Sequence, residues 1–401
     1  MPEIKEHSSL MRNIRIYYTY MATFQLLIGP ILTLYLLYKG LSFTEMMTLQ
    51  SLYSIAVFVL EVPTGAVGDL LGRKKSLILA GISMTLGTVA YMTGSHFLQF
   101  ALGELLFACG MSFKSGSDTS LVYDSLKKLD RVKDYASIQG KGDSFALITQ
   151  IFGSIIAGFI YEMNPEFPLL LSAVFLMISA VTALFFHEVK TYEHEEKPGY
   201  IKQIVLSGQY LAGHKRVRSI VIYSVFFFVF FRIGFWFYQP YFQAVKIDAG
   251  YFGILFALFN LVAAVSARFS EKFIKKTKGK SMIALSVLLS LSFLLMGLTR
   301  MWYGFIFICL QQIARGVHHP VFMKYMNKHI PSNQRSTTLS FSSLLQNLAA
   351  AAAFPLAGYA MDRMDAVSIN LYTGLIMLVG IVFFHYFLKG RMALDNMKIL
   401  E

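Results

Sequence analysis

Long apolar runs separated by short polar connections fill almost the whole chain, and they set its architecture. Twelve stretches reach the roughly 20 mostly apolar residues that crossing a bilayer requires. They fall near 16–38, 45–67, 76–95, 98–121, 142–161, 168–187, 219–242, 251–269, 281–299, 303–325, 338–361 and 367–388. None shows the strict alternation of a barrel strand, so the expected elements are helices, whose backbone groups are all paired within the segment. The pattern predicts an all-α membrane protein with twelve transmembrane helices.

One connection differs from the rest. Residues 188–218 run through Glu193, Glu195, Glu196, Lys197 and Pro198, then a mildly amphipathic stretch from Tyr200 to Leu211, then Lys215, Arg216 and Arg218. Its simplest reading is a solvated linker lying near an anionic inner leaflet. It divides the chain into a six-helix bundle over 1–188, a linker over 189–215 and a second bundle over 216–401. The halves echo each other: Lys75-Ser76 and Lys280-Ser281 open the third and ninth spans, and Gly110 and Gly316 occupy the fourth and tenth. Internal symmetry of this kind marks folds built from repeated bundles.

Composition agrees with a lipid environment. Of the 401 residues, 55% are hydrophobic and 15% charged, against about 25% charged in soluble domains; the mean hydropathy is +0.54. The net charge of +13 would suggest nucleic acid in a soluble protein, but its placement indicates topology instead. With the N-terminus inside, the inner connections hold 29 Lys and Arg, and the outer ones hold four, Lys39, Lys246, Arg300 and Arg363. The positive-inside rule then places both termini in the cytoplasm of a multi-pass plasma-membrane protein. The basic start (Lys5, Arg12, Arg15) leads into a spanning segment with no small-residue cleavage site. Cys109 and Cys309 lie in apolar stretches and indicate neither a disulfide framework nor a metal cluster.

The connection after the second span reads Gly65-Ala-Val-Gly-Asp69-Leu-Leu-Gly72-Arg73-Lys74-Lys75. Gly65 and Gly68 suit close helix packing, and Gly72 permits a tight turn. This segment resembles the loop signature of the major facilitator superfamily, G-x-x-x-D-x-x-G-R-[KR]. The resemblance implies two pseudo-symmetric six-helix bundles and alternating access. It also implies a conformational latch in which Gly65, Asp69, Gly72 and Arg73 meet the start of the eleventh span near Ser336–Thr338. Glu61-Val62-Pro63-Thr64, Ser115-Gly116-Ser117-Asp118 and Tyr123-Asp124-Ser125-Leu126-Lys127 are similar to a bacterial drug-exporter subgroup, which implies multidrug efflux by an antiporter. Against that subgroup, position 106 is Leu where proton-coupled members carry Arg, and the fifth span has Gly153 and Gly158 without a Gly-Pro pair.

Ionisable residues inside spans are costly and by default functional. The family fold places spans one, four, seven and ten around the cavity, and the buried charges concentrate in three of these. Span seven holds Arg232, with Trp236 one turn on and within cation–π reach. Span ten holds Arg315, then His318 and His319; adjacent histidines without a carboxylate make a poor metal site. Span four holds Glu104, Lys114 and Asp118, and Glu61 closes span two. The expected substrate-binding residues are Arg232, Arg315, Trp236, Gln25 and His318. Glu61, Glu104 and Asp118 are the expected proton-coupling carboxylates.

No enzyme motif is present: the Gly279-Lys280-Ser281 triplet lacks the earlier glycine of a P-loop, with Ile274 in its place. The expected function is secondary transport of a small amphipathic solute by a monomer. It would run on a proton gradient, with no cofactor and no nucleic-acid partner, and most simply as an exporter. A proton-coupled importer of an anionic nutrient and a lipid flippase are the alternatives.

Overall fold

The structure is a computed structural model that describes residues 2–189, 200–277, 280–331 and 334–391. No strand occurs among the described residues. In the first half the helices are α1 (Pro2–Thr23), α2 (Leu32–Tyr38), α3 (Phe43–Leu71), α4 (Arg73–Thr93), α5 (Phe97–Lys114), α6 (Ser117–Lys128), α7 (Tyr135–Met163) and α8 (Phe167–Leu184). There follow α9 (Tyr200–Gly213), α10 (Lys215–Ala244), α11 (Phe252–Ala267), α12 (Ser270–Thr277), α13 (Ser281–Leu298), α14 (Ile308–His329), α15 (Arg335–Met361) and α16 (Ala366–Arg391).

Among the described residues, ten of the expected spans coincide with stretches both long and apolar enough to cross a membrane. The other two are the first and the tenth. The first is interrupted, leaving the apolar stretch Gly29–Tyr38 too short on its own. The tenth, α14, carries Gln311, Gln312, Arg315, His318 and His319 among its apolar residues. Polar load of this kind in a span needs a cavity or protein partners to satisfy it.

The helices are turned out toward lipid. On α8, Ser172, Ala173, Ser179, Ala180 and Ala183 are buried, while Leu170, Val174, Met177, Val181 and Leu184 are exposed. Leu169 and Leu176 are buried as well, so large apolar residues occupy both faces while the small ones gather on the inner one, as expected at helix contacts where lipid replaces water.

The chain forms two compact units: Met1–Leu41 with Leu49–Glu196 and Ala249–Ile254, and Ser42–Thr48 with Lys197–Asp248 and Leu255–Glu401. The same neighbour pattern recurs inside each. In the first, α4 packs on α5 and α8, and α1 on α6, α7 and α8; in the second, α13 packs on α14 and α16, and α10 on α14, α15 and α16. The helix expected to be mildly amphipathic, α9, packs on α10 and α15.

Candidate functional site

Two helix breaks define the site in the first unit. After Thr23 the chain leaves the helix for residues 24–28, upstream of Pro30, which has no N–H to continue the ladder. The freed groups find side-chain partners. Gln25 donates from Nε2 to the Met21 carbonyl at 2.9 Å, and the Leu27 N–H donates to Ser172 Oγ at 3.0 Å. The second break separates α5 from α6 at Gly116, whose φ of +75 suits a residue with no Cβ. Lys114 closes α5 and Asp118 opens α6, each at the helix end whose dipole favours its charge. They pair across the break at 2.8 Å, with the Lys114 side chain 19% and the Asp118 side chain 7% exposed. The same ammonium lies 5.5 Å from the centroid of the Phe24 ring. One cation therefore ties together the breaks in the first and fourth spans.

Between these breaks lies a cavity of about 370 Å³, lined by residues that include Gln25, Gln50, Tyr53, Glu104, Lys114 and Gln150. Phe24, Phe107 and Met111 add apolar wall. The mixture of greasy surface and a few convergent polar groups is typical of small-molecule sites. Glu104 is 3% exposed. Tyr91 donates its hydroxyl to Glu104 Oε1 at 2.5 Å, and Gln50 donates from Nε2 to the same oxygen at 2.7 Å. Both donors occupy Oε1, so Oε2 is the oxygen open to a proton or a solute donor. Tyr91 is itself buried edge-on against Phe100, with centroids 5.2 Å apart.

The cavity thus unites Gln25 and Glu104 from the expected set, with Lys114 beside them and Asp118 as the partner of Lys114. Sequence reasoning missed Gln50 and Tyr91. The available signal was an amide and a phenol inside apolar spans, among several other polar side chains.

The expected residues of the second unit fall into separate clusters. Arg315 donates from Nη1 to Asn260 Oδ1 and Gln312 Oε1, both at 3.2 Å, and lies 5.8 Å from the Phe231 ring. Gln312 donates to the Tyr238 hydroxyl at 3.1 Å, and Tyr238 donates to Gln311 at 2.8 Å. His318 stacks on Phe227 with centroids 4.2 Å apart and reaches Ser224 Oγ at 3.3 Å. Ser224 also accepts from Gln346 at 2.9 Å. Arg232 lies over Phe228 and Phe354, at 5.8 and 5.9 Å, rather than over Trp236. Trp236 packs edge-on against Phe235, its indole N–H buried without a hydrogen-bond partner.

At the signature loop, Gly72 adopts φ +95. The next residues open α4, and Glu188 caps it: its carboxylate accepts from the Arg73 and Lys74 backbone N–H groups, both at 2.9 Å. Nearby, the fully buried Asn13 donates to Ser125 Oγ and to the His187 carbonyl, and it accepts from the His187 N–H. The latch residues Gly65 and Asp69 on α3, their expected partners Ser336 and Thr337 on α15, and the expected coupling carboxylate Glu61 on α3 lie outside the described side chains.

Proteins similar to this chain include membrane transporters. A curated relative, the uncharacterised MFS-type transporter YxaM of Bacillus subtilis (strain 168), is 25% identical over 343 residues, covering 82% of this chain and 84% of the relative. A variant of the nucleoside transporter NupG superposes with a TM-score of 0.77 at 12% identity, over 97% of this chain and 99% of that one. The peptide transporter POT in complex with sulfate gives 0.71 at 15% identity, over 96% and 95%. At such identities the likeness speaks for the fold. The matches to the family itself run over residues 16–246 and 220–395, nearly the whole length, and make this chain a member of the Major Facilitator Superfamily.

Proposed function

We propose that the chain is a monomeric secondary transporter of the plasma membrane that exports a small amphipathic solute in exchange for protons. In this reading twelve spans form two six-helix bundles over 1–188 and 216–401, joined by 189–215, with both termini cytoplasmic. Alternating access runs on the proton gradient without a bound cofactor, and Asp69 and Arg73 take part in the cytoplasmic latch.

The observation that carries the proposal is Glu104. An ionisable side chain in a span, 3% exposed, on the wall of a cavity where two helices break, has the attributes of a coupling site. Its two donors leave Oε2 for a proton in one state and a solute donor in the other. The aromatic and thioether wall suits the apolar part of an amphipathic molecule. NupG and POT are named for nucleosides and peptides, organic solutes rich in hydrogen-bonding groups, which a cavity with amides and a carboxylate also suits.

The test uses the purified protein in liposomes with a trapped pH dye and an inward-acidic gradient, challenged with a panel of organic cations and anions. A compound of the right class drives protons out, and Glu104→Gln abolishes that proton movement. Unchanged proton movement in correctly folded Glu104→Gln would sink the assignment. A second reading, proton-coupled import of an anionic nutrient, is favoured by Arg315, whose hydrogen-bond partners Asn260 and Gln312 are neutral amides. In the same vesicles it predicts that an anion enters together with protons and that Arg315→Ala blocks it.

A further inference from the structure

Four cavity-lining residues of α5 stand at i, i+3, i+7 and i+10: Glu104, Phe107, Met111 and Lys114. That spacing places them in one stripe along a single helix face. Read from end to end, the stripe is carboxylate, aromatic ring, thioether, ammonium, over about 15 Å of helix rise. It is apolar in the middle and oppositely charged at its ends.

Both ends have binding capacity left. On Glu104, Tyr91 and Gln50 share Oε1, and Oε2 remains. On Lys114, one N–H meets Asp118 Oδ2 at 2.8 Å, and an ammonium has two further donors. Asp118 does not depend on Lys114 alone. Its Oδ1 accepts the Thr119 N–H at 2.7 Å, and it sits in the first turn of α6, where the helix end favours an anion. Lys114 can therefore share its charge with a solute without stranding Asp118.

We propose that the cavity takes an extended zwitterion, with its ammonium on Glu104, its anionic end on Lys114 and an apolar middle against Phe107 and Met111. The proposal rests on the cavity being the solute site and adds the class of solute. A plain amine leaves the two further Lys114 donors unused, and a plain acid leaves Glu104 Oε2 unused. A zwitterion too short to span the stripe satisfies one end only.

The experiment is isothermal titration calorimetry on the full-length protein in detergent. The ligands are straight-chain aminoalkanoates of increasing length, with alkylamines and alkanoates of matching length as controls. One chain length should bind best and exceed both single-ended controls by about tenfold or more, the scale set by losing one charge-assisted hydrogen bond. Glu104→Gln should reduce that ligand to the level of the matching alkanoate. The double variant Lys114→Met/Asp118→Asn, which removes the pair without leaving a buried charge, should reduce it to the level of the matching alkylamine.

Alkylamines that bind as tightly as aminoalkanoates, or a series in which nothing binds, would overturn the zwitterion. If alkylamines bind and Glu104→Gln removes them, the zwitterion is refuted while the cavity remains the solute site. If neither variant changes solute-driven proton movement in vesicles, the cavity reading falls as well.

Discussion

Replacing Glu188 with Ala should loosen the start of α4, and Gly72 allows the reason to be isolated. Glu188 supplies the acceptor for the Arg73 and Lys74 N–H groups, each at 2.9 Å. Loss of a helix N-cap costs about 0.5–2 kcal/mol, and loss of an anion at a helix N-terminus a further 0.3–1 kcal/mol or so. The expected destabilisation is therefore about 1–3 kcal/mol. Gly72→Ala should also destabilise, by two routes. Its φ of +95 and ψ of 156 lie in a region nearly closed to other residues, at about 1–3 kcal/mol. In addition, the new methyl would stand 2.6 Å from Glu188 Oε2, so the carboxylate has to leave its two donors. With Glu188 already Ala, only the backbone term remains. The double variant should thus be less damaged than the sum of the single ones, by about 1 kcal/mol, beyond the 0.3–0.5 kcal/mol or so over which independent sites add. Unfolding in mixed micelles titrated with denaturing detergent measures the cycle. Strict additivity, or a neutral Glu188→Ala, would refute the capping argument.

Two further outcomes follow from charges elsewhere. Lys114→Met removes the cation from Asp118, which keeps only the Thr119 N–H and the helix end. It should destabilise by less than the roughly 3–5 kcal/mol of a fully buried pair, whereas Lys114→Met/Asp118→Asn should recover most of that loss in the same unfolding assay. Asp365 caps α16 through the Val367 and Ser368 N–H groups and the Ser368 hydroxyl, and lies 3.5 Å from Arg300. The Ser368 hydrogen bonds, with smaller help from Val367 and Arg300, hold its carboxyl below the usual aspartate range. A depressed folded-state value means that this stabilisation is present above the unfolded value and lost as pH falls through the folded one. A melting-temperature series into acid should therefore show a loss that Asp365→Asn flattens, and identical acid profiles would contradict it.

The apolar pattern made the helices legible, because a bilayer forces every long apolar run to satisfy its own backbone. It also made the breaks hard to see. Pro30 and Gly116 stand in plain view, yet each lies inside a run long enough to read as one continuous span. What decides is where the freed groups go: the Leu27 N–H to Ser172 in the first break, and the Thr119 N–H to Asp118 in the second. Gly72 announced a turn by its type, whereas Glu188, which caps the helix after it, comes 115 residues after Arg73 with nothing local to mark it. Glu104 stood out as a charge in a span, but its donors Tyr91 and Gln50 arrive from two other helices and belong to tertiary structure alone. Trp236 shows the limit of helical spacing: one turn from Arg232 puts it within reach, but packing gave the arginine Phe228 and Phe354 instead.

The central claim is that solute binds in the first unit, against the broken first span. Gln25 lines that cavity from the break itself. With Cys109 and Cys309 replaced by Ala, Gln25→Cys supplies a single thiol there, and its rate of modification by a maleimide reads access to the cavity. The compound which drives protons in vesicles should slow this labelling in a saturable way, and Glu104→Gln should remove the protection. Labelling at the same rate with and without saturating compound would contradict the account.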